Sequence, residues 1–263
     1  MMRLLLRSYY VTVYYLSWVW FGIGGLLLNL GCGLLLPFTS HLRIGHKVRS
    51  TIQGMFALWL KWFHACRVVR IHWRGFDTTP LQPGTVYVAN HPTLVDAPVL
   101  LSRLPDTICI FKPALSRNPC IGPAAVLAGY SSGDSGVDLI RDTAEQVAAG
   151  RSLLIFPEGT RTTPGRSLNP LKPGFALIAK RAGAPIRLIT LRASPLLTAK
   201  GRAWWKVPSL PGWIEVTLQD EIPADTELSA GEITALAQER LASLVLAASS
   251  LAPQWPVPPP TSC

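Results

Sequence analysis

Charged residues are scarce in this 263-residue chain, where they make up 15% of the sequence against a usual share of roughly a quarter. Acidic residues are the scarcest, with 15 Asp and Glu against 25 Lys and Arg, which leaves a formal net charge of +10. Hydrophobic residues reach 49%, and nine of them are tryptophans. Such a composition suits an anionic membrane surface or anionic substrates better than free solution.

The sequence also lacks the patterns that indicate nucleic-acid or metal binding. It has no Lys/Arg-rich run and no CxxC or HxxxH spacing, so we expect neither a nucleic-acid partner nor a metal site. The cysteines are odd in number and widely spaced, which disfavours a disulfide framework and favours a reducing compartment for the soluble part. They are Cys32, Cys66, Cys109, Cys120 and Cys263.

One segment, from Ser8 to Thr39, contains no charged residue. It is long enough to cross a bilayer, which requires about 20 residues. Basic residues flank it on both sides, namely Arg3, Arg7, Arg43, Lys47 and Arg49. The positive-inside rule therefore gives no orientation for a single crossing. Because several glycines and Asn29 could divide the segment into two shorter helices, we expect a helical hairpin that enters and leaves by one face, or an in-plane anchor.

Beyond Val86, short apolar strands alternate with helical stretches. This alternation predicts an α/β fold with a mixed, mostly parallel sheet flanked by helices. Strands are expected over Val68–Trp73, Val86–Ala89, Thr107–Phe111, Ser152–Phe156 and Ile186–Leu191, with Trp213–Leu218 as an edge strand. Helices are expected over Thr51–Ala65, Leu94–Arg103, Cys120–Ala128, Leu139–Ala149, Gly174–Ala182 and Ser229–Ser249. Residues 1–66 would form the membrane-associating anchor, 67–250 the α/β domain, and 251–263 a proline-rich, unfolded tail.

A histidine and an aspartate follow the strand Val86–Ala89, with His91 five positions before Asp96. In an unbroken helix these two residues would lie about 140° apart. Pro92 favours a non-helical His91 and a helix that starts at the proline, so that the Asp96 carboxylate could reach back to the imidazole. A histidine whose tautomer is fixed by a carboxylate suits a general base, whereas a plain helix cap is the structural alternative.

A second motif, Phe-Pro-Glu-Gly-Thr-Arg from Phe156 to Arg161, follows another strand. Gly159 allows close approach of the backbone and Arg161 carries a fork of donors, so that together with Thr160 they could hold a phosphate. Glu158 would bind a hydroxyl or hold the arginine. A structural turn with a surface ion pair is the alternative.

Together, the HxxxxD pattern of His91 and Asp96 and the motif Phe156–Arg161 resemble the glycerophospholipid acyltransferase family, of the lysophosphatidic acid acyltransferase type. The resemblance implies that an acyl chain moves from acyl-CoA or acyl carrier protein to a hydroxyl, usually of a lysophospholipid. It implies no metal and no cofactor apart from the acyl donor as co-substrate. His91 would deprotonate the acceptor and Asp96 would orient it, while the acceptor's glycerol-phosphate portion would be bound by Glu158, Gly159, Thr160 and Arg161.

Weaker segments agree with this family, and one departs from it. Gly183–Ile186 and the pair Phe111–Lys112 with Asn118–Gly122 look like further family segments. The resemblance makes Lys112, and Asn90 beside His91, possible substrate-binding residues. Where the family has an arginine after Gly-x-x-x-x, this chain has Asp134. The acceptor therefore stays open between lysophosphatidic acid and another lipid or secondary-metabolite hydroxyl.

Two other functions compete with acyl transfer. Gly129–Gly133 matches the Gly-x-Ser-x-Gly nucleophile elbow of hydrolases, with Ser131 as nucleophile. All five histidines precede Ser131, the reverse of the hydrolase order, and helix is expected before it, so we interpret this stretch as a flexible loop. A lipid-binding membrane protein without turnover is the second alternative, although it would not need a base.

The expected partners are membrane lipids and the acyl donor, and the sequence carries no signal for an oligomeric state. If the anchor lies on one face of the membrane, the catalytic domain shares the side of Arg3 and Arg43. The positive-inside rule makes that side cytoplasmic. We therefore expect the domain on the cytoplasmic face of the inner cell membrane, where acyl donors occur.

Overall fold

The computed structural model describes residues 2–111, 118, 121–132, 136–196 and 198–250. The residues outside this description include Lys112, Pro119, Cys120, Gly133, Asp134 and the tail 251–263.

The described residues form seven helices and seven strands. The helices are α1 (Met2–Leu35), α2 (His41–Ala65), α3 (Asp96–Leu101), α4 (Gly122–Leu127), α5 (Val137–Ala148), α6 (Gly174–Ala182) and α7 (Ala230–Ser250). The strands are β1 (Val69–Arg74), β2 (Val86–Ala89), β3 (Thr107–Phe111), β4 (Ser131–Ser132), β5 (Ser152–Ile155), β6 (Ile186–Ser194) and β7 (Gly212–Ile222).

The strands form one sheet in the order β1-β7-β6-β2-β5-β3-β4. Among the described strands, β6 and β7 pair antiparallel and every other neighbouring pair is parallel. The predicted fold class, a mixed and mostly parallel sheet flanked by helices, is confirmed.

The prediction that Trp213–Leu218 forms an edge strand is wrong. It belongs to the 11-residue β7, which lies inside the sheet because it pairs with β1 on one side and β6 on the other. Glu215 of this strand is buried, and its carboxylate accepts hydrogen bonds from Arg74 at 2.8 Å and Arg192 at 3.2 Å. Two flanking guanidinium groups therefore allow a charge in a central strand.

Both faces of the sheet are covered. Successive residues of β2 point to opposite faces: Tyr87 and Ala89 pack with α2 and α3, whereas Val86 and Val88 pack with α5, α6 and α7. All four residues of β2 are buried, as expected for a central parallel strand. The carboxyl end of β2 is therefore held rigidly from both sides.

The anchor differs from its prediction, because Ser8–Thr39 is not divided into two helices. α1 is one continuous helix of 34 residues, and the hairpin is formed by α1 with α2, which begins at His41 rather than Thr51. Gly24 lies against Met55 of α2, and Gly33 lies against Pro123. The glycines therefore bring neighbouring helices close without ending α1.

α1 and α2 are joined by aromatic residues. Trp59 donates to the Ser17 carbonyl at 2.9 Å, Trp62 donates to the Ser17 hydroxyl at 3.0 Å, and the rings of Phe21 and Phe56 stack. The outer side of α1 carries an exposed stripe of apolar residues at helical spacing, which we call the α1 stripe: Leu5, Tyr9, Leu16, Val19, Ile23, Leu26, Leu30 and Leu34. Within the described residues, this one helix is long and apolar enough to cross a membrane.

Candidate active site

The carboxyl end of β2 is fixed by Asn90. Its side-chain amide donates to the Leu191 carbonyl at 2.9 Å and accepts from the Leu191 N–H at 2.7 Å, so it continues the pairing of β2 with β6. Asn90 is buried, and both ends of its amide are used in this way. These contacts hold the strand end in front of His91, and substrate binding by Asn90 stays a prediction.

His91 and Asp96 are in contact, as their spacing predicts. Nδ1 of His91 lies 2.8 Å from Oδ2 of Asp96. The backbone path differs from the prediction, because α3 begins at Asp96 and Pro92 lies outside it. The reason is that Asp96 also accepts hydrogen bonds from the N–H of Thr93, at 2.7 Å, and from its hydroxyl, and these bonds close residues 93–96 into a turn.

The hydrogen bonds of Asp96 determine the state of the imidazole. Oδ2 accepts the Thr93 N–H, and as a carboxylate oxygen it also accepts from His91, so that Nδ1–H is the donor. Burial raises the pKa of Asp96, and the hydrogen bonds from His91 and Thr93 oppose that rise by favouring the carboxylate. Nε2 then carries the lone pair, and among the described residues none hydrogen-bonds to it. The His91 side chain is 19% exposed, so it is open to a ligand on one side.

Glu158 lies behind His91 and is 4% exposed. One carboxylate oxygen accepts the His91 N–H at 2.8 Å and the Thr162 hydroxyl at 2.9 Å, and the other accepts the Asn169 N–H at 2.9 Å. The carboxylate joins the two motifs and fixes the backbone of the histidine. Binding of the acceptor by Glu158 stays a prediction.

Two further contacts, one from the second motif and one from the residue that follows it, hold His91. The Phe156 ring stacks on the imidazole with centroids 4.2 Å apart, and the Thr162 N–H donates to the His91 carbonyl at 2.7 Å. Sequence reasoning missed these positioning residues, along with Thr93 and Asn169. Phe156 could have been found as the first residue of the second motif, but nothing local in the sequence marks Asn169.

Arg161, Gly159 and Thr160 lie on the loop that follows β5. Nη1 of Arg161 donates to the carbonyls of Thr198 and Ala199 at 2.6 and 3.2 Å. Gly159 has φ +67°, and a Cβ there would lie 3.2 Å from Nζ of Lys172. The positive φ favours glycine, and the close approach identifies Lys172 as a cation beside the loop that sequence reasoning missed. Phosphate binding by this loop stays a prediction.

Ser131 does not form a nucleophile elbow. It belongs to the short edge strand β4, not to a flexible loop as predicted, and it is buried. Its hydroxyl accepts a hydrogen bond from Thr143 at 2.9 Å, and the Gln146 amide lies 3.4 Å away. An elbow requires an exposed serine at a sharp turn between strand and helix. In the described part of the chain, no group of three or more His, Cys, Asp and Glu side chains could hold a metal ion.

Known acyltransferases resemble this chain over the region that contains both motifs, the His91–Asp96 pair and Phe156–Arg161. A family model described as Acyltransferase matches residues 70–191, which include both of them. A 1-acyl-sn-glycerol-3-phosphate acyltransferase of Cocos nucifera is 34% identical over 181 residues, 66% of this chain and 54% of the relative. A lyso-ornithine lipid O-acyltransferase of Pseudomonas aeruginosa is 33% identical over 171 residues, 63% of this chain and 64% of the relative. The chain thus spans between about half and two thirds of the length of these two relatives.

The fold matches a solved structure over almost the whole chain. The crystal structure of the 1-acyl-sn-glycerophosphate acyltransferase from Thermotoga maritima superposes with a TM-score of 0.72 and 20% sequence identity. The match covers 97% of this chain and 99% of the other, so it includes the N-terminal helices as well as the sheet.

Proposed function

We propose that this chain, which belongs to the glycerophospholipid acyltransferase family, moves a fatty acyl group from acyl-CoA or acyl carrier protein to a hydroxyl of a lysophospholipid such as lysophosphatidic acid. The observation that carries the proposal is the His91–Asp96 pair, in which a buried carboxylate holds Nδ1 at 2.8 Å and leaves Nε2 to act as a base. The names of the relatives support the acceptor class.

The reaction proceeds as one displacement at the thioester. Nε2 of His91 takes the proton of the acceptor hydroxyl while the oxygen attacks the thioester carbonyl carbon. The tetrahedral intermediate then expels the thiolate, which takes the proton back from His91, so that an ester and a free thiol leave. Asp96 stabilises the imidazolium that forms between these steps. General-base catalysis of this kind contributes about 10²- to 10⁴-fold to the rate.

The anionic part of the acceptor binds at the loop of Gly159, Thr160 and Arg161. Because Nη1 of Arg161 is held by two backbone carbonyls, its guanidinium plane is fixed and its other N–H groups are oriented before a ligand arrives. Lys172 lies beside Gly159 and adds a second positive charge. A fixed arginine and a nearby lysine suit a phosphate better than a neutral headgroup.

A second acceptor class is supported by one of the comparisons. The Pseudomonas aeruginosa relative is named a lyso-ornithine lipid O-acyltransferase, and its identity to this chain is close to that of the glycerophosphate enzymes. The same chemistry on an acceptor without glycerol phosphate is therefore the alternative function.

The two N-terminal helices hold the domain against one leaflet of the membrane. The α/β domain contacts α1 at two distant points, since the Tyr14 hydroxyl donates to the Trp204 carbonyl and the Ala124 N–H donates to Asn29 at 3.0 Å. These points lie about 22 Å apart along the helix, most of the roughly 30 Å hydrocarbon core. A perpendicular crossing would pull the domain into the hydrocarbon. We therefore infer that residues 1–66 lie in one leaflet with the α1 stripe inward, on the cytoplasmic face of the inner membrane.

The test is acyl transfer by the purified, detergent-solubilised full chain. Acyl-CoA and acyl carrier protein donors are offered with lysophosphatidic acid, other lysophospholipids, lyso-ornithine lipid and hydroxylated non-phospholipids. Transfer to lysophosphatidic acid is the expected result. Transfer to lyso-ornithine lipid alone would support the second acceptor class, and lipid binding without any transfer would support a binding protein.

A further inference from the structure

The loop between β6 and β7, residues 195–211, carries a surface that the proposed reaction does not use. We call it the β6–β7 loop. It contains no acidic residue, and its three cations Lys200, Arg202 and Lys206 are exposed. Trp204 and Trp205 are 47% and 56% exposed, whereas every other tryptophan in the described residues is buried or half-buried. Exposed indoles beside clustered cations mark an interaction surface.

The backbone of the loop presents these two indoles outward. The loop contains two consecutive turns, each closed by a backbone hydrogen bond. In the first, the Arg202 N–H donates to the Ala199 carbonyl at 3.0 Å; in the second, the Lys206 N–H donates to the Ala203 carbonyl at 3.1 Å. Trp204 and Trp205 are the two central residues of the second turn, the positions that lie farthest from the ends of the turn. Their rings pack edge to face, with centroids 5.8 Å apart.

The loop is fixed to α1 next to the α1 stripe. The Tyr14 hydroxyl donates to the Trp204 carbonyl, and the Tyr15 hydroxyl donates to the Trp205 carbonyl at 2.9 Å. The Trp18 and Trp204 rings lie 5.6 Å apart. Tyr15 is itself exposed and lies one helical turn before the exposed Val19 of the α1 stripe, so the two surfaces are continuous. A bilayer that contacts the α1 stripe also meets the two indoles.

We propose that the β6–β7 loop is a second membrane contact of this protein, with Trp204 and Trp205 in the interfacial layer and Lys200, Arg202 and Lys206 on the headgroups of anionic phospholipids. Tryptophan prefers this depth because its ring is apolar and its N–H is polar. Each cation near an anionic surface strengthens binding about fivefold. The inference rests on the proposed membrane attachment of α1 and not on the proposed reaction.

The same loop is bonded to both motifs of the candidate active site. Its Thr198 and Ala199 carbonyls accept from Arg161, and the Thr198 hydroxyl accepts from the Leu94 N–H at 3.2 Å. A loop held at the headgroup layer therefore keeps Arg161 at the depth where the anionic part of a lysophospholipid lies.

The first test measures binding of the full chain to vesicles of neutral phosphatidylcholine, with and without anionic phosphatidylglycerol. The triple variant Lys200→Gln, Arg202→Gln, Lys206→Gln should bind anionic vesicles at least about tenfold more weakly and neutral vesicles as the wild type does. A charge-matched control, Lys180→Gln, Arg181→Gln, Arg240→Gln, removes three cations from α6 and α7, on the other face of the sheet, and should bind as the wild type.

The second test uses vesicles of brominated lipids, which quench the fluorescence of tryptophans within the bilayer. The variant Trp204→Phe, Trp205→Phe should lose a large part of the quenchable signal, whereas Trp213→Phe, at a half-buried site, should lose little. Equal quenchable signals in the wild type and the double variant would overturn the proposal.

Other outcomes are equally decisive. No vesicle binding by the wild type would refute the loop contact together with the membrane attachment. A different result would be a triple variant that binds vesicles normally and transfers slowly from acyl carrier protein but at the normal rate from acyl-CoA. The loop would then be a donor-binding surface, and the proposal would be overturned. Vesicle binding that depends on the loop in a protein without transferase activity would refute only the proposed reaction.

Discussion

Replacement of Glu158 by glutamine tests whether this residue positions His91 or binds the acceptor. In the wild type, the carboxylate accepts from the backbone N–H groups of His91 and Asn169 and from the Thr162 hydroxyl. A glutamine keeps one acceptor oxygen and replaces the other by an NH₂ group, which can only donate. Whichever way the amide turns, it faces the N–H of His91 or that of Asn169 with another donor.

The size of the effect follows from burial. Glu158 is 4% exposed, so water does not replace the lost bond. A buried donor left without a partner costs about 1–3 kcal/mol. For a domain of this size, each kcal/mol lowers Tm by about 2–4 °C. If the His91 backbone shifts with the lost bond, kcat falls as well, because a displacement of about 1 Å can cost 10²-fold.

The assay is steady-state acyl transfer together with thermal unfolding in the same detergent. We expect Glu158→Gln to lower kcat and Tm while the KM for the acceptor stays close to the wild-type value. Glu239→Gln, an exposed change on α7, should leave all three quantities unaltered. A higher acceptor KM with normal kcat and Tm would refute the positioning role and restore Glu158 as an acceptor-binding residue.

Three further substitutions are predicted to act differently from one another. Asp96→Asn should lower kcat on the order of 10²- to 10⁴-fold, because an amide can no longer favour the imidazolium of His91; a smaller loss in the kinetic assay would count against the pair. Arg161→Ala should raise the KM of a phosphorylated acceptor strongly with a smaller change in kcat, and unchanged kinetics would remove it from the site. Gly159→Ala should lower stability by about 1–2 kcal/mol, measured by thermal unfolding, because φ is positive there and the Cβ would crowd Lys172.

The elements that position the site were predictable from the sequence wherever the local signals agree with the tertiary structure. The bounds of β2, β3 and α6 match the predicted ranges. β2 is a short apolar run between turn-forming residues, and α6 ends where Gly183 takes the left-handed conformation, which glycine adopts most easily. Such signals lie within a few residues of one another.

Longer-range features could not be predicted in the same way. Gly24 and Gly33 of α1 looked like breaks because the residues that pack against them, Met55 and Pro123, are distant in sequence. The interior position of β7 could not be predicted, because the arginines that neutralise Glu215 come from two other strands. The positioning contacts of Glu158 could not be predicted, because its partners are backbone N–H groups at His91 and Asn169, which no side-chain pattern reveals.

The most direct test of the central claim compares the wild type with His91→Ala in a single assay that follows both thiol release from the donor and formation of the acylated lipid. His64→Ala, an exposed histidine on α2, is the matched control. We predict that His91→Ala lowers both rates together by about 10²- to 10⁴-fold and that His64→Ala leaves both unchanged. Transfer by His91→Ala within a few-fold of the wild-type rate would contradict the assignment of His91 as the general base.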